Sequence, residues 1–104
     1  MELPLFPLNT VLFPGATIPL HIFEDRYKQM IAMCVQEQRP FGVVLIRGGQ
    51  EAGGPAEPFD VGTTAYITSV QRLEDGKMNL MCVGGKRFRV LSTSSDQPYL
   101  VAEV

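Results

Sequence analysis

A single histidine, two cysteines and the want of any long apolar run leave this chain short of the residues that most chemistry needs. The formal net charge is −2 and the isoelectric point lies near 5.3, the wrong sign for a domain whose main partner is a phosphate backbone. The N-terminus carries no basic leader region, and its prolines break the apolar helix that a secretory signal requires. No apolar stretch approaches the roughly 18 residues of a membrane span, so no membrane partner is expected. Cys34 and Cys82 stand far apart, without C-x-x-C spacing or a neighbouring histidine. They read as buried free thiols of a reducing compartment, which implies a cytoplasmic setting. His21 is flanked by Leu20, Ile22 and Phe23, none of them a metal ligand. Neither a metal nor a cofactor is expected, and nothing marks a cysteine nucleophile with its base.

The glycine-rich segments fail as phosphate cradles. Gly84-Gly85-Lys86 is followed by Arg87 where a P-loop needs serine or threonine, and Leu80 stands where its first glycine belongs. The segment from Arg47 to Gly54 is not a G-x-G-x-x-G turn between strand and helix. Both read as turns. Lys86, Arg87 and Arg89 form the only basic cluster, read as a solvated strand face, with Phe88 alone between them.

What the chain does have is a 45% apolar content in 104 residues, enough for one domain with a real core over 1–104. Its organising stretch is Leu3 to Ile31, which holds Pro4, Pro7, Pro14 and Pro19. Each proline fixes its own φ, removes a donor and holds the residue before it extended. Glu2 to Leu8 should therefore be a strand at an edge or a bulge. Val11 to Phe13 should be short and extended, Pro14-Gly15 a turn, and Thr17 to Ile22 a second strand confined by Pro19 to an edge or irregular position.

From Glu24 the period changes. Tyr27, Met30, Ile31, Cys34 and Val35 recur at helical spacing, with Glu24 and Asp25 in the first turn. A Glu24–Lys28 pair and a Phe23–Tyr27 staple are expected to support the helix, and Arg39-Pro40 to end it. Phe41 to Ile46 reads as a strand buried on both faces, and Arg47 to Pro58 as a loop. Asp60 to Glu74 is a strand with Thr63, Ala65, Ile67 and Ser69 on one face and Thr64, Tyr66, Thr68 and Val70 on the other. Asp75-Gly76 is a hairpin signal leading into Lys77 to Val83. Gly84-Gly85 reads as a turn or bulge, Phe88 to Leu91 as a third strand, and Tyr99 to Val104 as the start of a fourth. The C-terminal half is thus expected to be an antiparallel meander. The chain stops inside that last apolar run, which reads as a truncation.

With these residues in view, the sequence resembles the N-terminal, substrate-recognition domain of the Lon protease family. The resemblance rests on Leu3-Pro4-Leu5-Phe6-Pro7-Leu8, on Val11 to Gly15 running into Ile18 to Tyr27, and on Val61-Gly62-Thr63 with Gly84 to Val90. The Phe23-Glu24-Asp25-Arg26-Tyr27 version looks most like the small standalone bacterial members and the related domain of the cereblon proteins. The resemblance implies an α+β fold, mainly β with one helix: a PUA-like pseudo-barrel of about six strands, followed in relatives by a helical bundle. The P-loop and Ser-Lys motifs of the complete proteases are missing from this chain, and so are the paired cysteines of the separate zinc domain of cereblon.

The expected role is therefore a non-catalytic protein-interaction module for unfolded or degron-bearing polypeptides, beside a protease or chaperone partner. A PUA-like RNA-binding domain is the alternative. Two surfaces suit polypeptide binding. One is apolar, at Leu5, Phe6, Phe13 and Ile22 beside edge strands able to accept an extended peptide. The other is the polar helix face at Asp25, Arg26 and Gln29. Core packing for the first set and ordinary solvation for the second are the plainer readings of the same residues.

Overall fold

The structure is a computed structural model that describes residues 1–49 and 56–104 of the chain. Its strands are β1 (Glu2–Leu8), β2 (Thr17–Ile22), β3 (Phe41–Gly49), β4 (Ala56–Arg72), β5 (Met78–Arg89), β6 (Ser92–Ser94) and β7 (Val101–Glu103). One helix, α1 (Asp25–Glu37), joins β2 to β3. The seven strands form one open sheet in the order β2-β5-β4-β3-β1-β7-β6. The mainly-β architecture with a single helix is the one expected.

The position of β1 is not the expected one. It lies inside the sheet, parallel to β3 through Leu5↔Gly42 to Leu8↔Leu45 and antiparallel to β7 through Glu2↔Glu103 to Pro4↔Val101. Its prolines are tolerated because successive N–H groups point to opposite sides of a strand. The Leu5 N–H donates to Leu100 O on the β7 side at 2.9 Å. Pro4 therefore turns its missing donor towards β3, one residue before that pairing begins, and Pro7 turns its own towards β7, beyond the end of that strand. Both prolines miss the ladder instead of breaking it. Pro19 behaves as expected, since β2 is an edge strand paired only with β5.

Pro14-Gly15 is the expected turn, with Gly15 at φ 82° and the Ala16 N–H on Phe13 O at 3.0 Å. Val11 to Phe13 is not a strand; Leu12 is buried and its carbonyl accepts from Thr63 Oγ1 at 2.7 Å. The turn lies against Gly84, where a Cβ would sit 2.3 Å from Phe13 O, so only glycine fits. That glycine pair is a bulge within β5, which runs on through Phe88. The meander is corrected accordingly. β4 and β5 form the hairpin, turned by Asp75 and Gly76 at φ 60° and 76°. After Arg89 the chain crosses to the far side of the sheet, where β6 pairs with β7 and β7 with β1. A second bulge, at Thr68 of β4, shifts the side-chain alternation, so Val70 packs on the core although Ile67 does too. The expected loop from Arg47 to Pro58 is shorter, because β3 reaches Gly49 and β4 begins at Ala56; 50–55 lie outside the described residues.

The helix buries Tyr27, Met30, Ile31 and Cys34, the face its spacing predicted. It ends with Gln38 in the left-handed region at φ 54°, just before Arg39-Pro40. The supporting contacts differ from those expected. Glu24 holds Arg26 at 3.0 Å, Lys28 reaches Asp25 at 3.5 Å, and Phe23 lies on His21 while Phe6 takes the ring of Tyr27. The main core joins α1 to Phe6, Leu8, Leu20, Ile22, Phe41, Val43 and the inner residues of β4 and β5. A second, smaller cluster under the opposite face gathers Leu5, Val44 and Ala102 with Phe88 and Val90.

Candidate functional site

β2 and β1 are separated by three strands in the sheet order, yet their side chains line one cavity of about 310 Å³. The sheet therefore curls until its β2 edge faces β1, and the gap between them stays open. Phe6 and Leu8 come from β1, Leu20 and Ile22 from β2, and Glu24 and Tyr27 from the start of the helix. The local sequence explains the placement. Alternation along β2 sends Leu20 and Ile22 inward and leaves Pro19 and His21 outside. The helix then begins at once, so its first turn closes one end of the gap.

The floor is aromatic. The Phe6 ring stacks on Tyr27 with centroids 4.3 Å apart and lies 6.1 Å from Phe41. Burial raises the Tyr27 phenol above its ordinary pKa, against the pull of the Arg26 guanidinium, which lies 4.7 Å from the ring centroid. At the rim Phe23 is exposed and stacks on His21 at 5.7 Å. His21 Nδ1 meets Asn79 Oδ1 at 2.8 Å, and Asn79 Nδ2 donates to Gln71 Oε1 at 3.1 Å. The histidine is thus a satisfied strand residue, and no group of metal-ligating side chains occurs among the described residues.

The outer edge of β2 adds backbone to this surface. The Gly84 N–H donates to Ala16 O, so the even-numbered residues that follow face β5. Thr17, Pro19 and His21 then present their backbone to the outside. That edge offers carbonyl acceptors at all three positions but N–H donors only at Thr17 and His21.

The expected binding residues separate into groups. Phe6 and Ile22 meet in the cavity; Arg26 does not line it, but bonds Glu24 and lies over the Tyr27 ring, which do. Leu5 is fully buried in the smaller cluster and offers no surface. Phe13 is 61% exposed but lies elsewhere, under the guanidinium of Arg87 at 5.3 Å. Asp25 and Gln29 are exposed on the helix and do not line the cavity. Sequence reasoning left out Leu8, Leu20, Phe23 and Tyr27; the alternation in β2 was the available signal for Leu20. Cys34 and Cys82 are buried, and burial pushes both thiols up to about 11, which leaves them protonated and poor nucleophiles.

Comparison with known proteins agrees with the fold. The family model for the ATP-dependent protease La (LON) substrate-binding domain matches residues 2–104. Lon protease of Anaeromyxobacter dehalogenans is 33% identical, over 98% of this chain and 12% of that protein. Lon protease 2 of Myxococcus xanthus is 34% identical, over 98% of this chain and 13% of that one. The crystal structure of a Lon N-terminal domain protein from Xanthomonas campestris matches with a TM-score of 0.82 at 37% identity, covering 99% of this chain and 57% of the other. The N-terminal domain of Mycobacterium avium complex Lon protease matches at 0.71 and 20% identity, over 53% of its length, a likeness of fold alone. The chain thus spans a small part of its full-length curated relatives. It belongs to the LON substrate-binding domain family.

Proposed function

We propose that this member of the LON substrate-binding family is a non-catalytic module that receives unfolded or degron-bearing polypeptides, in the cytoplasm, beside a protease or chaperone partner. The observation that carries the reading is the open seam between β2 and β1. It joins an aromatic-floored cavity to a strand edge with free backbone groups, so one extended segment can pair along β2 and insert an apolar side chain next to Phe6 and Ile22. Phe23, half in solvent at the rim, supplies further apolar surface.

A backbone amide NMR titration with a reduced, unfolded model protein tests this, with single-stranded RNA titrated in parallel. Shifts gathered on Leu20 to Phe23, Tyr27 and Phe6, caused by the polypeptide alone, are expected. Silence at those amides at high polypeptide concentration would overturn the reading. RNA shifts that vanish with added salt would favour the alternative of a PUA-like RNA-binding domain.

A further inference from the structure

Away from the seam, where the segment between β1 and β2 crosses the β4–β5 hairpin, the surface holds another cavity, of about 160 Å³. Val11, Leu12, Leu45, Phe59 and Val61 wall it, and Arg87 stands at its side. Val11, Phe59 and Val61 are left exposed in its wall, and Phe13, beneath Arg87, is exposed next to it. Single exposed apolar residues need no explanation, but three lining one cavity do.

The arginine is held in place. Its Nη1 donates to Thr63 Oγ1 at 3.1 Å, and its guanidinium lies over the Phe13 ring at 5.3 Å. Thr63 is the one buried polar side chain among the described residues, and its hydroxyl is itself fixed by donating to Leu12 O at 2.7 Å. Arg89 lies beside it, because Thr63↔Arg87 and Val61↔Arg89 are cross-strand neighbours at positions two apart, on one face of the sheet. Neither arginine, nor Lys86 before them, makes an ion pair with a carboxylate of the described residues. In a chain of net charge −2, this is a cationic ridge with no carboxylate ion-paired to it among the described residues.

We infer that this surface is a second binding site, for an acidic polypeptide segment that carries one bulky apolar side chain. The side chain enters the cavity, which has room for one and no more, and flanking carboxylates pair with Arg87 and Arg89. The two arginines on one face favour several carboxylates in a segment over a single chain terminus. The apolar wall favours a polypeptide over a phosphate backbone, which would leave Val11 and Val61 in water. This inference does not rest on the seam being functional.

Fluorescence anisotropy with a labelled Gly-Glu-Glu-Phe-Glu-Glu-Gly peptide tests it. Replacing phenylalanine by glycine in the peptide, or its glutamates by glutamines, should each weaken binding about tenfold. Arg87→Gln should do the same while the thermal unfolding curve stays close to that of the parent chain, and Arg87→Lys should recover part of the loss. Phe13→Ser, at an exposed position, provides a second variant that does not disturb the core. Equal binding of the glutamine peptide, indifference to Arg87→Gln and Phe13→Ser, or displacement by RNA at matching concentration would each overturn the proposal.

Discussion

β1 and β2 are both short, apolar and interrupted by proline, yet one runs through the interior of the sheet and the other bounds it. β1 is buried from Leu3 to Leu8, whereas β2 alternates between core and solvent. The difference is not in proline count but in where each missing donor points. In β1 the two prolines face places that neighbouring strands do not reach; in β2 Pro19 faces the open edge. A proline in a strand therefore excludes a partner on one side at one position, and the length of the neighbouring strands decides whether that matters. The functional consequence follows from the same contrast. The buried strand supplies the floor of the seam, and the half-exposed strand supplies its accessible wall.

The sharpest way to test the contrast is to truncate a side chain on the buried strand. Leu5 is fully buried between β3 and β7, packed with Val44 and Ala102, far from collapse into an existing space. Leu5→Ala should cost about 2–5 kcal/mol, lowering Tm by roughly 10 °C or more, as read from urea and thermal unfolding. It should leave polypeptide binding by the surviving folded fraction unchanged, because Leu5 is on the face away from the seam. A variant of undiminished stability would show that β1 is not the packed strand described.

Much of this was legible in the sequence. The helix from Glu24, the edge position of β2, the Pro14-Gly15 and Asp75-Gly76 turns and the buried β3 all follow from period and turn chemistry, which are local properties. What was not legible is non-local. The parallel pairing of β1 with β3, and the crossing from Arg89 to β6 and β7, depend on which strands meet, and no local pattern reports that. Gly84-Gly85 gave the same local signal for a turn as for a bulge; the packing of Phe13 against Gly84 decides it. For the candidate site, Phe6 and Ile22 were recognisable as large apolar residues, but their meeting depends on the curl of the whole sheet. Asp25 and Gln29 illustrate the converse: both read correctly as exposed helix positions, and exposure alone did not place them beside the cavity.

The two thiols carry the comparison into dynamics. Cys82 pairs across from Ile18 of β2, while Cys34 lies on the helix, with its Sγ 4.0 Å from Pro40 O. Burial raises both to about 11 from 9.0. The unfolded chain therefore loses these protons first as pH rises, so the folded state binds more protons than the unfolded one between about 9 and 11. Stability contributed by the neutral thiols is complete below pH 9 and declines through that window. Urea unfolding at intervals across it should show the decline, and a Cys34→Ala, Cys82→Ala double variant should show a flatter profile. Because the two thiols are alike in acidity and burial, any difference in their rate of labelling reports local opening. Cys82, behind an edge strand, should label before Cys34; the reverse order would mean that the helix, not β2, is the looser element.

The smallest expected change in stability comes from the edge itself. Pro19→Val would place a third N–H on the outer side of β2, between those of Thr17 and His21, and complete a row of donors and acceptors. Stability should move by less than about 1 kcal/mol, since the residue is exposed and the gain in strand propensity offsets the added freedom of the unfolded chain. Association should respond more. An edge whose donor row is interrupted resists pairing with other strands, and restoring the row removes that guard. Sedimentation velocity over a concentration series should show more self-association for the variant than for the parent, and unfolded polypeptide should bind it more tightly but with less preference for sequence. If Pro19→Val changes neither, backbone pairing along β2 contributes nothing to recognition. The seam would then act through the cavity at Phe6 and Ile22 alone.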